Sequence, residues 1–505
     1  MDSHTHVGGP TSSSAIPSQS SFSPMWIIVP LALGQFICSF SGSAMNVAIN
    51  NIAQDLGTTV TGVQTAITMF TLTMAALMIP GSKVTDIWGR KFCFELGLMV
   101  YGLGGLTAAL APNLGVMIFG YSLLEGIGSA LLIPPVYILV TVSFKDLAAR
   151  ARSFGIVSGA AGIGSAAGPL IGGMITTLIS WRATFLLEVL VVAAIIVSGH
   201  RRIPDAAVQG TKPRFDVLGA ILSAVGLFFV VIGILQTSDY GWLTAKQDVV
   251  IGTAVVIPKG GISPLWPLLA IGAIFLALFF RHIGSMERAG KEPLLATKLF
   301  RNRTSNLGLV TQNIQWLLIQ GTFFVVSVFL QTVRGYNAVQ TGLLLTPATI
   351  GILLTSAFAG RMARRRPQKL LIEGGFICTV IGTILLLVLG SATSNNVFAL
   401  FPGLLLIGTG VGVMLTSSVN VVQGAFPEKD QGEISGLSRS VSNLGSSFGT
   451  AIAGSVIVSN ILEGNKDFGL ALVVMIGFAC LGLLAAILIP AQKPPAQAQQ
   501  AQQAQ

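Results

Sequence analysis

Few side chains in this chain can do chemistry within its long apolar runs. Glu125 lies in Phe119 to Ala130 (F-G-Y-S-L-L-E-G-I-G-S-A), Glu188 near one end of a later run, and Arg439 in a run near the C-terminus. An ionised side chain at the centre of a bilayer costs at least ~2.5 kcal/mol, so each needs a partner or a function. Glu125 can bind a proton or a cation, or it can hydrogen-bond a neighbouring helix; both readings stand. Glu188 is a proton-coupling candidate on the same two readings, though it sits close enough to the predicted outer boundary to be wet. Arg439, with Glu433 almost two turns before it, reads as the partner of an acid or a carbonyl. An enzyme would need more. His4, His6, His200 and His282 all fall outside the apolar runs, and no carboxylates pair at i, i+3 or i, i+4 within one. There is no G-x-x-x-x-G-K-[ST] phosphate loop to draw on ATP. Cys38, Cys93, Cys378 and Cys480 lie in or beside apolar runs without CxxC spacing, so they read as small buried hydrophobes. Neither a metal, a cofactor nor an enzymatic activity is expected.

Helices crossing a membrane must position these groups. The chain is 52% hydrophobic and 10% charged, with mean hydropathy +0.77, against roughly 25% charged in soluble proteins. Fourteen runs reach the length a span needs, the first near 25 to 49 and the last near 468 to 489. Most Lys and Arg residues fall in alternate connections, which predicts an even count of spans with both termini cytoplasmic. The same placement accounts for the net charge of +10 without nucleic acid. The expected organisation is all-α: a disordered tail at 1–24, a six-helix bundle at 25–200, a linker region with two additional transmembrane helices at 201–304, a second six-helix bundle at 305–490, and a disordered Gln/Ala-rich tail at 491–505. No cleavable signal peptide is expected, because the first 24 residues hold no Lys or Arg.

Gly81 to Lys91 (G-S-K-V-T-D-I-W-G-R-K) reads as a short turn between two spans. Gly81 and Gly89 let backbones approach closely, while Lys83, Arg90 and Lys91 hold the turn on the cytoplasmic side. Asp86 either caps the next helix, or accepts from a helix N-terminus or pairs with Arg90 to latch the two bundles in one state and release them in the other, which makes Gly81, Asp86, Gly89, Arg90 and Lys91 a candidate gating loop. A glycine series follows at Gly159, Gly162, Gly164, Gly168, Gly172 and Gly173, with Pro169 to bend the helix. Its counterpart is Gly436 to Gly454, and Gly360 to Lys369 resembles the first turn without its aspartate, so the two bundles read as related repeats. Gln35, Asn46, Gln312, Gln315, Trp316, Gln320, Phe323, Phe324, Asn420 and Gln423 are candidates to line a cavity, each equally explicable as an interhelical contact. So neutral a lining suits an amphipathic organic solute rather than a divalent cation.

These stretches together resemble the major facilitator superfamily. Gly81 to Lys91 is similar to its signature between helices 2 and 3, and Gly159 to Gly173 to the helix-5 signature of its exporters. Asn46-Val47-Ala48, Trp181-Arg182 with Phe185, Phe215-Asp216 with Gly219, and Pro293-Leu294 with Leu299-Phe300 point to the fourteen-span drug:proton antiporter branch. The resemblance implies a secondary active transporter of multidrug-efflux type, conferring antibiotic resistance, in the cytoplasmic (bacterial inner) membrane. It would export amphipathic drugs or metabolites in exchange for protons by alternating access, as a monomer in the lipid bilayer. Two positions depart from the pattern. Ser41 stands where the family carries an aspartate and Ser122 where it carries an arginine. Glu125 then becomes the substitute proton site, and a uniporter or carrier of a neutral metabolite is the alternative.

Overall fold

The computed structural model describes residues 25–143, 147–200, 203, 215–251, 254–392, 397–426, 430–458 and 465–490. The tails expected at 1–24 and 491–505 lie outside the described residues. Six long helices form the first half: α1 Met25–Ala44, α2 Val60–Trp88, α3 Arg90–Ala109, α4 from Leu114 to Ser143, α5 Leu147–Leu178 and α6 Trp181–Gly199. Two more follow, α7 Val217–Leu235 and α8 Leu265–Arg288. The second half holds α9 Arg303–Val328, α10 Ala338–Arg365, α11 Gln368–Ala392, α12 Phe401–Gln423, α13 Gln431–Val458 and α14 Asn465–Ile487. Among the described residues, 13 helices are long and apolar enough to cross a membrane. α13 is the long helix outside that set; it carries Glu433, Arg439 and a run of serines.

Capping residues in the sequence fix where several helices start. Thr59 accepts from Gly62 N at 3.1 Å, Asn302 from Ser305 N at 3.1 Å, and Asn337 forms a reciprocal box with Gln340. Helix ends obey backbone chemistry rather than hydropathy. α2 runs straight through Gly81 to Trp88 and stops only at Gly89, at φ +101°. The turn expected from Gly81 onward is therefore mostly helix, since Lys83 and Asp86 end an apolar run without breaking a helix. α10 likewise continues to Arg365; Arg366 is extended because Pro367 follows it. Two short antiparallel strands, Val249–Ile251 and Ala254–Ile257, lie between α7 and α8.

The halves meet along two seams that exchange equivalent helices. α2 packs on α13, and α5 on α10: the second helix of each half meets the fifth of the other. The α2–α13 seam is hydrogen-bonded along its length. Gln64 Nε2 donates to Thr450 O and Ala451 O at 3.3 Å each, Thr71 Oγ1 meets Ser447 Oγ at 3.0 Å, and Ser440 Oγ donates to Ala75 O at 2.5 Å. Polar seams of this kind replace the hydrophobic drive that lipid removes. α7 and α8 pack together beside this seam, with α7 touching both α2 and α13. Asp216 ties them down: it caps Gly219 N at 2.8 Å and also binds His282 Nε2 at 2.8 Å and Leu294 N at 3.2 Å.

Candidate substrate and proton site

α4 is an α-turn at Leu114–Met117, π-wound over Ile118–Glu125, and α-helical again at Gly126–Ser143. A π stretch rotates the residues that follow it, and such windings recur at functional sites. This one ends on Glu125. Bare backbone of α3 makes room for the side chain: a Cβ at Gly104 would lie 2.9 Å from Glu125 Cγ, and one at Gly105 3.0 Å from its Oε1. The Ser41 hydroxyl of α1 donates to Glu125 Oε2 at 3.1 Å and also stands beside Glu188 of α6. Tyr101 of α3 donates to Glu188 Oε2 at 3.0 Å. Glu188 is 1% exposed, so the expectation of a wet residue is corrected: α1, α3 and α6 close around it. Glu125 Oε1 and the hydroxyls of Tyr121 and Thr184 are buried without a hydrogen-bond partner. Two carboxyls on separate helices, joined through one hydroxyl and retaining a free acceptor, can hold a proton and hand it on. The aspartate that the resemblance expects at Ser41 is thus answered by a carboxyl one contact away. Ser122, where an arginine is expected, donates to Ala66 O at 2.7 Å.

A narrow crevice lined by Ser41, Ala48, Ile52, Trp181 and Glu188 runs along this side of α1. Trp181 Nε1 donates to Asp55 Oδ2 at 2.9 Å, Arg182 pairs with the same carboxylate, and Arg182 also binds Ala111 O at 2.9 Å. On the other side of α1 a separate small cavity lies between the halves. Its walls come from α1 (Gln35, Cys38, Ser39, Gly42), α2 (Phe70, Thr71, Met74), α4, α5, α9 (Trp316, Gln320) and α13 (Arg439, Ser442, Asn443, Ser446). α1 is therefore the shared wall between the acid pair and the cavity.

Three of the candidate lining residues come together there, Gln35, Trp316 and Gln320, and Gln320 Nε2 donates to Gly42 O at 3.3 Å across the halves. The others are placed elsewhere. Gln312 accepts from Ser438 at 2.8 Å and Gln315 from Ser418 at 3.1 Å, both within the second half. Phe323 and Phe324 are core side chains, Asn420 is exposed near the end of α12, and Asn46 is buried with both amide atoms unpartnered. The neutral lining is also corrected, because Arg439 faces the cavity. No carboxylate among the described residues holds it; it donates to the Tyr137 hydroxyl and lies 4.7 Å from that ring's centroid. The signal was present in the sequence: Arg439, Ser442, Asn443 and Ser446 repeat at i, i+3, i+4 and i+7, a polar stripe on one helix face.

At the end of the bundle bearing Gly89, the expected Asp86–Arg90 pair is absent: neither side chain has an ion-pair partner among the described residues. The pair that forms there crosses the seam. Lys83 Nζ lies 2.9 Å from Glu433 Oε1, and Glu433 Oε2 accepts from Ala296 N at 3.2 Å. Beside it, Lys298 Nζ donates to Asp430 Oδ1 at 2.7 Å, a bond that holds the ammonium above its usual range. Lys91 binds His200 O at 2.7 Å, and Gly81 gives α2 its close approach to the Ala130 carbonyl of α4.

The glycine series on α5 divides between two partners. Gly164, Gly168 and Gly172, four residues apart, abut Phe36, Ser43 and Ala44 of α1, whereas Gly173 meets the Ala338 carbonyl and the Pro169 carbonyl meets Gly342, both on α10. Gly159 has nothing near its missing Cβ. One helix thus carries both the wall of the acid pair and the second seam.

The family model of the Major Facilitator Superfamily matches residues 31–450 and 376–504. The chain belongs to that superfamily. As a Major Facilitator Superfamily member it is a transporter rather than an enzyme, and a multi-pass protein of the plasma membrane. It is 26% identical over 433 residues to the puromycin resistance protein of Streptomyces alboniger, covering 85% of this chain and 81% of that one. With the cephamycin export protein of Amycolatopsis lactamdurans it shares 28% over 475 residues, 92% and 91% of the two chains. The fold is also that of a POT family transporter crystallised with 5-aminolevulinic acid, with a TM-score of 0.63 at 17% identity over 92% of this chain and 96% of that one.

Proposed function

We propose that this protein exports amphipathic small molecules, drugs or metabolites, across the cytoplasmic membrane in exchange for protons by alternating access. The observation carrying this reading is the buried pair Glu125 and Glu188, with Ser41 of α1 bonded to the first and sharing a pocket wall with the second, and the central cavity on the other side of α1. A proton bound there acts on Ser41, and the same helix presents Gln35 and Gly42 to the cavity, so the two sites are mechanically adjacent. The Lys83–Glu433 pair at one end and the Gly173–Ala338 and Pro169–Gly342 contacts on the other seam are the contacts that alternate. Ion pairs and close backbone contacts of this kind have discrete made and broken states. The names of the relatives, a puromycin resistance protein and a cephamycin export protein, support organic cargo and outward transport.

The same reading takes α13 as a fourteenth span, with both termini cytoplasmic. It assigns 25–200 and 305–490 as the two bundles, joined by 201–304 with α7 and α8, in a monomer.

Purified protein in liposomes with an imposed pH gradient, followed with an internal pH dye, tests the exchange. Adding transported solutes from a panel of anionic, neutral and cationic drugs is expected to move protons down their gradient. Solute flux that is indifferent to the gradient would instead establish the uniporter reading.

A further inference from the structure

We propose that the central cavity selects amphipathic organic anions, with Arg439 receiving the negative charge. The inference rests on the exporter reading, in which this cavity is the substrate site.

Arg439 is the one charged side chain among the residues lining the cavity. Glu433 is committed to Lys83 and Ala296, Asp430 to Lys298, and Glu125 and Glu188 lie on the far side of α1. Among the described residues the guanidinium has the Tyr137 hydroxyl and ring as its recorded partners, and that hydroxyl is within 3.4 Å of Gln35 Oε1. A guanidinium has five N–H donors in a planar fork that matches a carboxylate or sulfonate, so several donors remain for a ligand. Ser442, Asn443 and Ser446, on the same face of α13, add hydroxyl and amide donors beside it. Across the cavity Phe70, Met74, Ile133 and Trp316 offer apolar surface for the body of the solute. A cationic solute would bring a like charge to Arg439 and find no carboxylate on the cavity wall to answer it. An intramembrane arginine without an acid is costly to keep, and an anionic ligand is the partner that the cavity admits.

Three probes with one fluorescent body test this: dansylglycine is anionic, dansylglycinamide neutral and dansylcadaverine cationic. Their saturable binding to the full chain in detergent is read as energy transfer from tryptophan to dansyl, with protein-free micelles as the baseline. Dansylglycine is expected to bind about tenfold or more tightly than dansylcadaverine, the size of a charge-assisted contact in a site partly shielded from water. Arg439→Gln should remove that preference, and Arg439→Lys should keep part of it. Should Arg439→Gln fail to fold, Ser442→Glu places an acid beside the arginine and should move the preference toward dansylcadaverine. The proposal is overturned if dansylcadaverine binds as tightly as dansylglycine, if none of the probes binds saturably, or if the preference survives Arg439→Gln or Ser442→Glu unchanged. Proton movement plays no part in the readout, so an absence of proton exchange in liposomes would sink the coupling reading and leave the charge preference standing.

Discussion

Liposomes carrying Glu125→Gln are expected to lose gradient-driven solute transport by roughly tenfold or more while keeping exchange of labelled for unlabelled solute. Glutamine preserves the length of the side chain and can still accept from Ser41, so the packing of α1 on α4 changes little. What it removes is the group able to take up and release a proton. Solute exchange needs only the loaded carrier to reorient, and that step does not draw on the gradient. Glu188→Gln should fall in the same class, because Glu188 shares Ser41 with Glu125 and is equally shut off from solvent. Ser41→Ala should retain gradient-driven transport at a reduced level, since it takes away the bridge and leaves both acids. The measurement is the ratio of gradient-driven transport to exchange in the same liposomes. Gradient-driven transport unchanged in Glu125→Gln at every pH would sink the assignment.

The second large effect belongs to the α5–α10 seam. Gly342→Leu or Gly173→Leu should abolish transport in both assays while the protein still inserts and purifies. A Cβ at Gly342 would strike the Pro169 carbonyl, and one at Gly173 would lie 2.5 Å from the Ala338 carbonyl, backbone that cannot give way as a side chain can. Overpacking of this kind costs about 1–3 kcal/mol where the structure must shift. On the proposed alternation that strain falls on the state in which the seam is closed, so the wedge should hold it open. Cysteine labelling at Ala338, which is 1% exposed and whose carbonyl faces Gly173, reads the opening directly. Gly159→Ala is the control: nothing lies within 4 Å of its missing Cβ, and transport should stay near that of the parent chain. Full activity in Gly342→Leu would remove this seam from the gating account.

Much of the architecture was legible because lipid imposes long apolar runs, and those runs mark helices wherever Pro, Gly and caps agree with them. Helix ends were less legible. Hydropathy falls at Lys83, but the helix persists to Gly89, because charge ends an apolar run and only backbone chemistry ends a helix. The acid pair was half visible. Glu125 and Glu188 each stood out as ionisable residues in apolar runs, yet they are 63 positions apart in the chain and meet only because α1 brings Ser41 between them. No local spacing encodes that contact, nor the π winding that ends on Glu125. Arg439 is different: its stripe with Ser442, Asn443 and Ser446 could be read directly, but whether such a stripe faces a cavity or a neighbouring helix depends on packing. Where Gln312 and Gln315 point depends on packing in the same way. A glutamine in a membrane helix seeks a partner, and theirs were serines of their own half.

The coupling of solute to proton is most directly tested by proton release on binding. Purified protein in weakly buffered detergent solution, mixed with a saturating transported solute and followed with a pH dye, is predicted to release protons, and Glu125→Gln to release none under the same conditions. Binding without proton release from the parent protein at any pH, or release that persists undiminished in Glu125→Gln, would contradict the assignment of Glu125 and Glu188 as the coupling site.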